Sequence, residues 1–264
     1  MPGANKLEYI KKAGKAVSNI LKRLKEEIKP GVSGKDLDKL AQQLMEKEAV
    51  QSSSLGYRVG NRIFPSAICV SLNKELTHGV PDDRVFKEGD LVSFDVACHV
   101  KNKKGTSFHA DAAMTVLIKA GNEEDKEKQN LLLVTEKALL EVIKNIKPGI
   151  TTSQDIGDWI EKYVQSYTQP QYYYVIKEYG GHGIGKKLHQ EPFIPNYKTP
   201  DKGEIIKEGM FICIEPLVQI GDDKVDVSDN GWTVFSKNGY LNAHFEHTVY
   251  IDKEEAKIIT NYAG

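Results

Sequence analysis

One six-residue phrase occurs twice in this chain, as Ile28-Lys29-Pro30-Gly31-Val32-Ser33 and as Ile146-Lys147-Pro148-Gly149-Ile150-Thr151. Each copy ends one amphipathic segment and introduces another. Before the first, Leu7, Ile10, Val17, Ile20, Leu21, Leu24 and Ile28 recur at helical spacing among lysines and glutamates. Before the second, Leu131, Val134, Ala138, Leu139, Val142 and Ile143 do the same. Beyond each Pro-Gly stop, Ser33 with Asp36 and Thr152 with Asp155 have the spacing of a capping box, with Asp in place of Glu. The helices they open carry Leu37, Leu40, Ala41 and Leu44, and Ile156, Trp159, Ile160 and Tyr163. A repeated pair of helices predicts two related halves, about residues 6–120 and 124–255, within one domain spanning 1–264.

Strands follow each helix pair. Ala67 to Ser71, Leu91 to Val96 and Met114 to Ile118 read as β-structure in the first half, and Tyr172 to Ile176, Met210 to Ile214 and His244 to Ile251 in the second. Helices in runs followed by strands in runs predict an α+β fold with antiparallel sheet flanked by helices, not a doubly wound parallel sheet.

Asp95, Asp111, Glu215 and Glu246, with His182, fall in or beside apolar or glycine-rich runs. Asp95 interrupts Leu91-Val92-Ser93-Phe94-Asp95-Val96, and Glu215 ends Met210-Phe211-Ile212-Cys213-Ile214. A buried carboxylate needs a base or a metal. No lysine or arginine lies inside these runs, so the pattern points to metal. Four carboxylates and one imidazole suffice for two divalent ions if some carboxylates bridge, and hard oxygen donors favour manganese, iron or cobalt, with zinc also compatible. His78, in Thr77-His78-Gly79-Val80-Pro81, and His189, close after Gly181-His182-Gly183-Ile184-Gly185, stand on backbone that can approach a substrate. His99, His109, His244 and His247 have no such setting and read as surface or capping residues, with His247 facing away from Glu246 in an alternating strand.

The rest of the chain narrows the class. Basic and acidic side chains number 36 and 37, which argues against nucleic acid as a specific ligand. Cys69, Cys98 and Cys213 lie in apolar runs without CxxC spacing, as reduced core cysteines of a cytoplasmic protein do. No segment has the length and apolarity of a signal peptide or membrane span.

Seven motifs in order resemble those of type I methionine aminopeptidase, across about residues 6–255: Thr77-His78-Gly79-Val80-Pro81, Phe94-Asp95-Val96, His109-Ala110-Asp111, Gly181-His182-Gly183-Ile184-Gly185, His189-Gln190-Glu191-Pro192, Gly209-Met210 through Glu215-Pro216, and Phe245-Glu246-His247-Thr248. The resemblance implies the pita-bread fold of two pseudo-symmetric halves and a monomer whose substrates are the N-terminal methionine peptides of nascent chains with a small second residue. It implies two divalent ions (cobalt, manganese, iron or zinc). Asp95 would hold the first ion, Asp111 and Glu246 would bridge, and His182 and Glu215 would hold the second. A metal-bridging hydroxide would attack the carbonyl, Glu215 would shuttle the proton, and His78 and His189 would contact the substrate amide. Tyr57, Phe64, Cys69, Leu188 and Trp232 align with the methionine side-chain pocket.

Three departures from the family pattern stand out. The 96–110 stretch is longer than usual and carries Lys101-Asn102-Lys103-Lys104-Gly105, Ala110 replaces a glycine, and extra residues lie between Leu55 and Phe64. The lengthened hairpin is expected to be a solvated basic turn, with a weak contact to ribosomal RNA as the second reading. Rival readings are an Xaa-Pro-type peptidase, which is usually longer, and a non-catalytic pita-bread binding protein, which an intact ligand set disfavours.

Overall fold

A computed structural model describes residues 2–167 and 172–262, with side chains from Lys6 onward. The amphipathic segments form four helices: α1 (Pro2–Glu27), α2 (Gly34–Lys47), α3 (Glu124–Asn145) and α4 (Ser153–Gln165). In α1, Ile10, Val17, Ile20, Leu21 and Leu24 are fully buried, each such side chain contributing roughly 1.5–3 kcal/mol. Both capping boxes form. Ser33 Oγ accepts from Asp36 N while the Asp36 carboxylate accepts from Ser33 N, and Thr152 and Asp155 repeat the exchange. Each cap also bridges to a later segment, Ser33 to Val85 and Thr152 to Ile205.

All strand pairs are antiparallel. In the first half a long hairpin, Leu91–Lys101 with Ser107–Leu117, pairs along its whole length and takes Cys69–Leu72 and Gln51–Ser52 on its other edge. Helix α1 packs on both arms of it. In the second half the order is Gln190–Ile194, Gly181–Gly183, Phe211–Ile214, His247–Ile251 and Ala256–Ile258. A smaller sheet joins the halves, because Glu75–Thr77 of the first pairs with Val234–Ser236 of the second.

Two expectations need correction. The stretch from His244 to Ile251 is not one strand: Asn242–His244 pairs with Leu217–Ile220, and the chain breaks at Phe245-Glu246 before His247–Ile251 joins Phe211–Ile214. The break arises because Glu246 N donates to Ala113 O (2.9 Å) across the seam between the halves. The second correction concerns His244 and His247, which are deeply buried rather than surface residues. The extra residues after Leu55 form a small hairpin, Arg58–Val59 with Arg62–Ile63, closed at its base by Gly56 N to Phe64 O and Phe64 N to Tyr57 O.

Candidate active site

The seam between the halves brings the carboxylates together. On the long hairpin Asp95 opposes Ala113 and Ala97 opposes Asp111, so the two aspartates lie diagonally on one face with an alanine beside each. The second half then runs along the Ser107–Leu117 arm. Asp111 N donates to Thr248 Oγ1 (2.9 Å), whose hydroxyl donates back to Asp111 O (2.8 Å), and the Glu246–Ala113 bond follows two residues along. This register sets Glu246 across Ala113 from Asp95. Oxygens of Asp95, Asp111 and Glu246 lie within 4.8 Å of one another, and so do donor atoms of His182, Cys213 and Glu246.

His182 comes from Gly181–Gly183, wedged between Gln190–Ile194 and Phe211–Ile214. Only glycine fits on either side of it: a Cβ at Gly181 would stand 2.1 Å from Cys213 O, and one at Gly183 2.1 Å from Glu191 O. The Nδ1–H of His182 donates to Gly183 O (2.9 Å), which leaves the Nε2 lone pair facing Glu215 Oε1 at 3.9 Å. Burial, then His189, holds the His182 pKa down to about 3, so the ring is a neutral donor.

The carboxylates lack a counter-charge. None of the four forms an ion pair with a lysine or arginine among the described residues, and Asp95 Oδ1, Asp111 Oδ1 and Glu246 Oε1 have no hydrogen-bond partner. Burial and then the neighbouring acids push Asp111, Glu215 and Glu246 well above the ordinary carboxylate range, and burial raises Asp95. Such a cluster is costly unless cations neutralise it. This donor set, with its orphaned buried oxygens, fits divalent metal.

Above the carboxylates opens a cavity of about 460 Å³. Asp95, Asp111, His182 and Glu215 lie on its wall with His78 and His189, and Tyr57, Phe64, Cys69, Leu188 and Trp232 line it too. Glu246 lies behind that wall, within the carboxylate cluster. Phe64 and Trp232 meet edge to face (5.3 Å between centroids), and Arg62 of the small hairpin lies over Trp232 and donates to Gly231 O. His78 takes a positive φ of 54°, a conformation that costs a non-glycine residue roughly 1–3 kcal/mol. The next residue must be glycine, since a Cβ at Gly79 would lie 2.1 Å from Val70 O. Burial, with His244 and His189 nearby, lowers the His78 pKa to about 4. Tyr57 Oη is 2.6 Å from His189 Nδ1. If the phenol donates, the His189 proton sits on Nε2, which serves as a hydrogen-bond donor.

Sequence patterning missed His244. It is 2 % exposed, and its Nε2 lies 3.5 Å from Glu215 Oε2. Its two-residue spacing from Glu246 inside a run taken for one strand was the available signal. His99 and His109 oppose each other on the long hairpin and share Ser53 Oγ, at 3.3 and 2.8 Å from their Nδ1 atoms. All three cysteines are free and buried.

Residues 8–253 match the model of metallopeptidase family M24, and this chain belongs to that family. Its relatives within the family carry a narrower name. It is 40 % identical over 254 residues to the methionine aminopeptidase of Mycoplasma capricolum, covering 96 % of this chain and 95 % of that one. It is 38 % identical to methionine aminopeptidase 1 of Bacillus subtilis, covering 96 % of each. The crystal structure of the Thermotoga maritima methionine aminopeptidase superposes with a TM-score of 0.86 at 38 % identity, over 97 % of both chains. The prolidase from Pyrococcus furiosus, at 21 % identity and a TM-score of 0.71, shares the fold, covering 97 % of this chain and 64 % of its own. The architecture is therefore the pita-bread fold, and the chain is a metal-dependent hydrolase.

Proposed function

We propose that this chain is a cytoplasmic methionine aminopeptidase, a single catalytic domain of two related halves that removes the N-terminal methionine of nascent chains when the second residue is small. The observation that carries this reading is the convergence of four unneutralised carboxylates and a neutral His182 beside an apolar cavity lined by two aromatic pairs of contacts, Phe64 with Trp232 and Tyr57 with His189. An unbranched thioether side chain suits such a cavity. The higher identity to methionine aminopeptidases than to the prolidase favours this reading over Xaa-Pro cleavage.

Asp95, Asp111, His182, Glu215 and Glu246 would hold two divalent ions, of manganese, iron, cobalt or zinc. When bound, such ions supply a water that ionises near neutral pH and polarise the scissile carbonyl. The protein's own groups do the rest. Glu215, with Oε1 facing His182 and Oε2 facing His244, accepts a proton from the attacking water and returns it to the leaving amine. His189, fixed by Tyr57, donates from Nε2 to oxygen on the substrate amide, and His78, which also lines the cavity, contributes a second donor. Phe64, Cys69, Leu188 and Trp232 hold the methionine side chain and exclude water.

Specificity tests this reading. Met-Ala-Ser is expected to be cleaved far faster than Met-Lys-Ser or Leu-Ala-Ser, because the apolar cavity selects the thioether and the crowding by His78 limits the second residue. Comparable kcat/KM on all three would indicate a general aminopeptidase instead.

The lengthened hairpin belongs to the same reading. Lys101, Lys103 and Lys104 are exposed around a turn in which Asn102 Oδ1 accepts from Lys104 N and Thr106 N. Three such cations suit a solvated basic turn; the second reading, a weak ribosome contact, has a log affinity that falls against log salt with a slope of about 2 to 3. On that second reading, replacing all three with serine should weaken cosedimentation with ribosomes at low salt and leave peptide hydrolysis unchanged. Cosedimentation that ignores the change would mean a solvated turn.

A further inference from the structure

His244 is a histidine with a fixed backbone and an unpartnered ring nitrogen. Its N–H donates to Thr115 Oγ1 (2.8 Å), and the Thr115 hydroxyl donates back to His244 O (3.0 Å). With its one proton committed there, Thr115 Oγ1 accepts from Ser93 Oγ (2.8 Å). Ser93 and Thr115 oppose each other on the long hairpin, one step along the face that carries Asp95 and Ala113. The carboxylate-bearing face of the first half therefore clamps the residue of the second half that points at Glu215.

The side chain has one polar neighbour within ion-pair range. His244 Nε2 is 3.5 Å from Glu215 Oε2 and has no hydrogen-bond partner, although it is almost fully buried. The other oxygen of the same carboxylate, Oε1, faces His182 Nε2 at 3.9 Å. Glu215 thus has two differently placed oxygens, one toward the ligand cluster and one toward the unpartnered His244 Nε2. Its backbone is held as well, because Asn196 Nδ2 donates to Glu215 O (2.9 Å). At 3.5 Å the two groups stand within reach of a charge-assisted hydrogen bond.

We propose that His244 is a positioning residue for Glu215: its Nε2–H donates to Oε2, which turns Oε1 toward the metal cluster and fixes the carboxylate that accepts the proton. The inference rests on the aminopeptidase reading for its catalytic half and on geometry alone for its metal-binding half. Outer hydrogen-bond partners of metal ligands commonly change affinity or activity about 10- to 100-fold when removed.

The test uses chelator-treated full-length protein. Mn²⁺ affinity is measured by calorimetry, and kcat and KM on Met-Ala-Ser are measured separately, for wild type, His244→Gln and His244→Leu. Glutamine keeps an N–H donor of similar reach, whereas leucine fills the space without one. His244→Leu should bind Mn²⁺ at least about tenfold more weakly and lose about tenfold or more in kcat with little change in KM, while His244→Gln stays within about threefold of wild type in both. Wild-type Mn²⁺ affinity in His244→Leu overturns the proposal, and so does a His244→Gln variant as impaired as His244→Leu. If the leucine variant does not fold, His244→Met takes its place with the same expected loss. Should the wild type fail to cleave Met-Ala-Ser, the functional reading falls, and the Mn²⁺ affinities still decide the role of His244.

Discussion

His182→Ala is expected to lose bound metal and, with it, hydrolysis, whereas His78→Ala and His189→Ala keep their metal and fall about 10²-fold in kcat. The separation follows from where each imidazole points. His182 spends its Nδ1–H on Gly183 O and turns a bare Nε2 to the carboxylates. His189 lies close enough to Asp111 and His182 to be a ligand by distance alone, within 4.8 Å. Its contact with Tyr57 argues otherwise, since a phenol donating to Nδ1 leaves Nε2 protonated and unable to coordinate. His78 is further committed by its strained backbone, which holds the ring in the cavity wall next to Tyr179. Metal analysis of the three purified variants beside their kinetics checks the division. Equal metal loss in all three would mean that the imidazoles share one role.

The stability that Mn²⁺ adds to the protein should grow as pH rises above neutral, because the metal-free protein loses stability as its clustered acids ionise. The sign follows from the direction of the shifts. Asp111, Glu215 and Glu246 have folded pKa values well above their ordinary 3.8 and 4.5, so the folded state retains protons that the unfolded chain has released. Their stabilising protonation is complete below the unfolded values and is lost as pH rises through the raised ones. His78, His109 and His244 at about 4, His182 and His247 at about 3, and His99 and His189, also lowered by burial, act in the other direction below and around 6.5, where the unfolded chain holds protons that these rings refuse. Once pH is well above 6.5 the unfolded imidazoles are neutral too and their contribution ends, which leaves the carboxylates to set the trend. Melting temperatures of chelated and Mn²⁺-loaded protein across this window should therefore diverge with rising pH. Parallel curves would mean that the acids are not brought together without metal.

Much of this site was legible in the sequence because its parts are local. The two Pro-Gly stops and their Ser/Thr caps are i to i+3 signals, and both boxes form as the spacing predicts. Asp95 and Glu215 stand out because each interrupts or ends an apolar run that no cation could neutralise. What patterning missed lies at the seam. Nothing between residues 244 and 251 announces a break, since the strand is interrupted by a bond from Glu246 N to Ala113 O in the other half. Treating that stretch as one alternating strand misjudged the settings of His244 and His247. The hairpin of Arg58–Ile63 was visible only as extra residues, while its function of carrying Arg62 onto Trp232 depends on a partner far away in sequence.

Metal content and activity measured together, on protein prepared without oxygen and then stripped, test the central claim most directly. With Mn²⁺ or Fe²⁺ returned stepwise, hydrolysis of Met-Ala-Ser should be absent in the stripped protein, rise with occupancy and level off by two ions per chain. Full hydrolysis by protein that holds only trace metal would contradict the account.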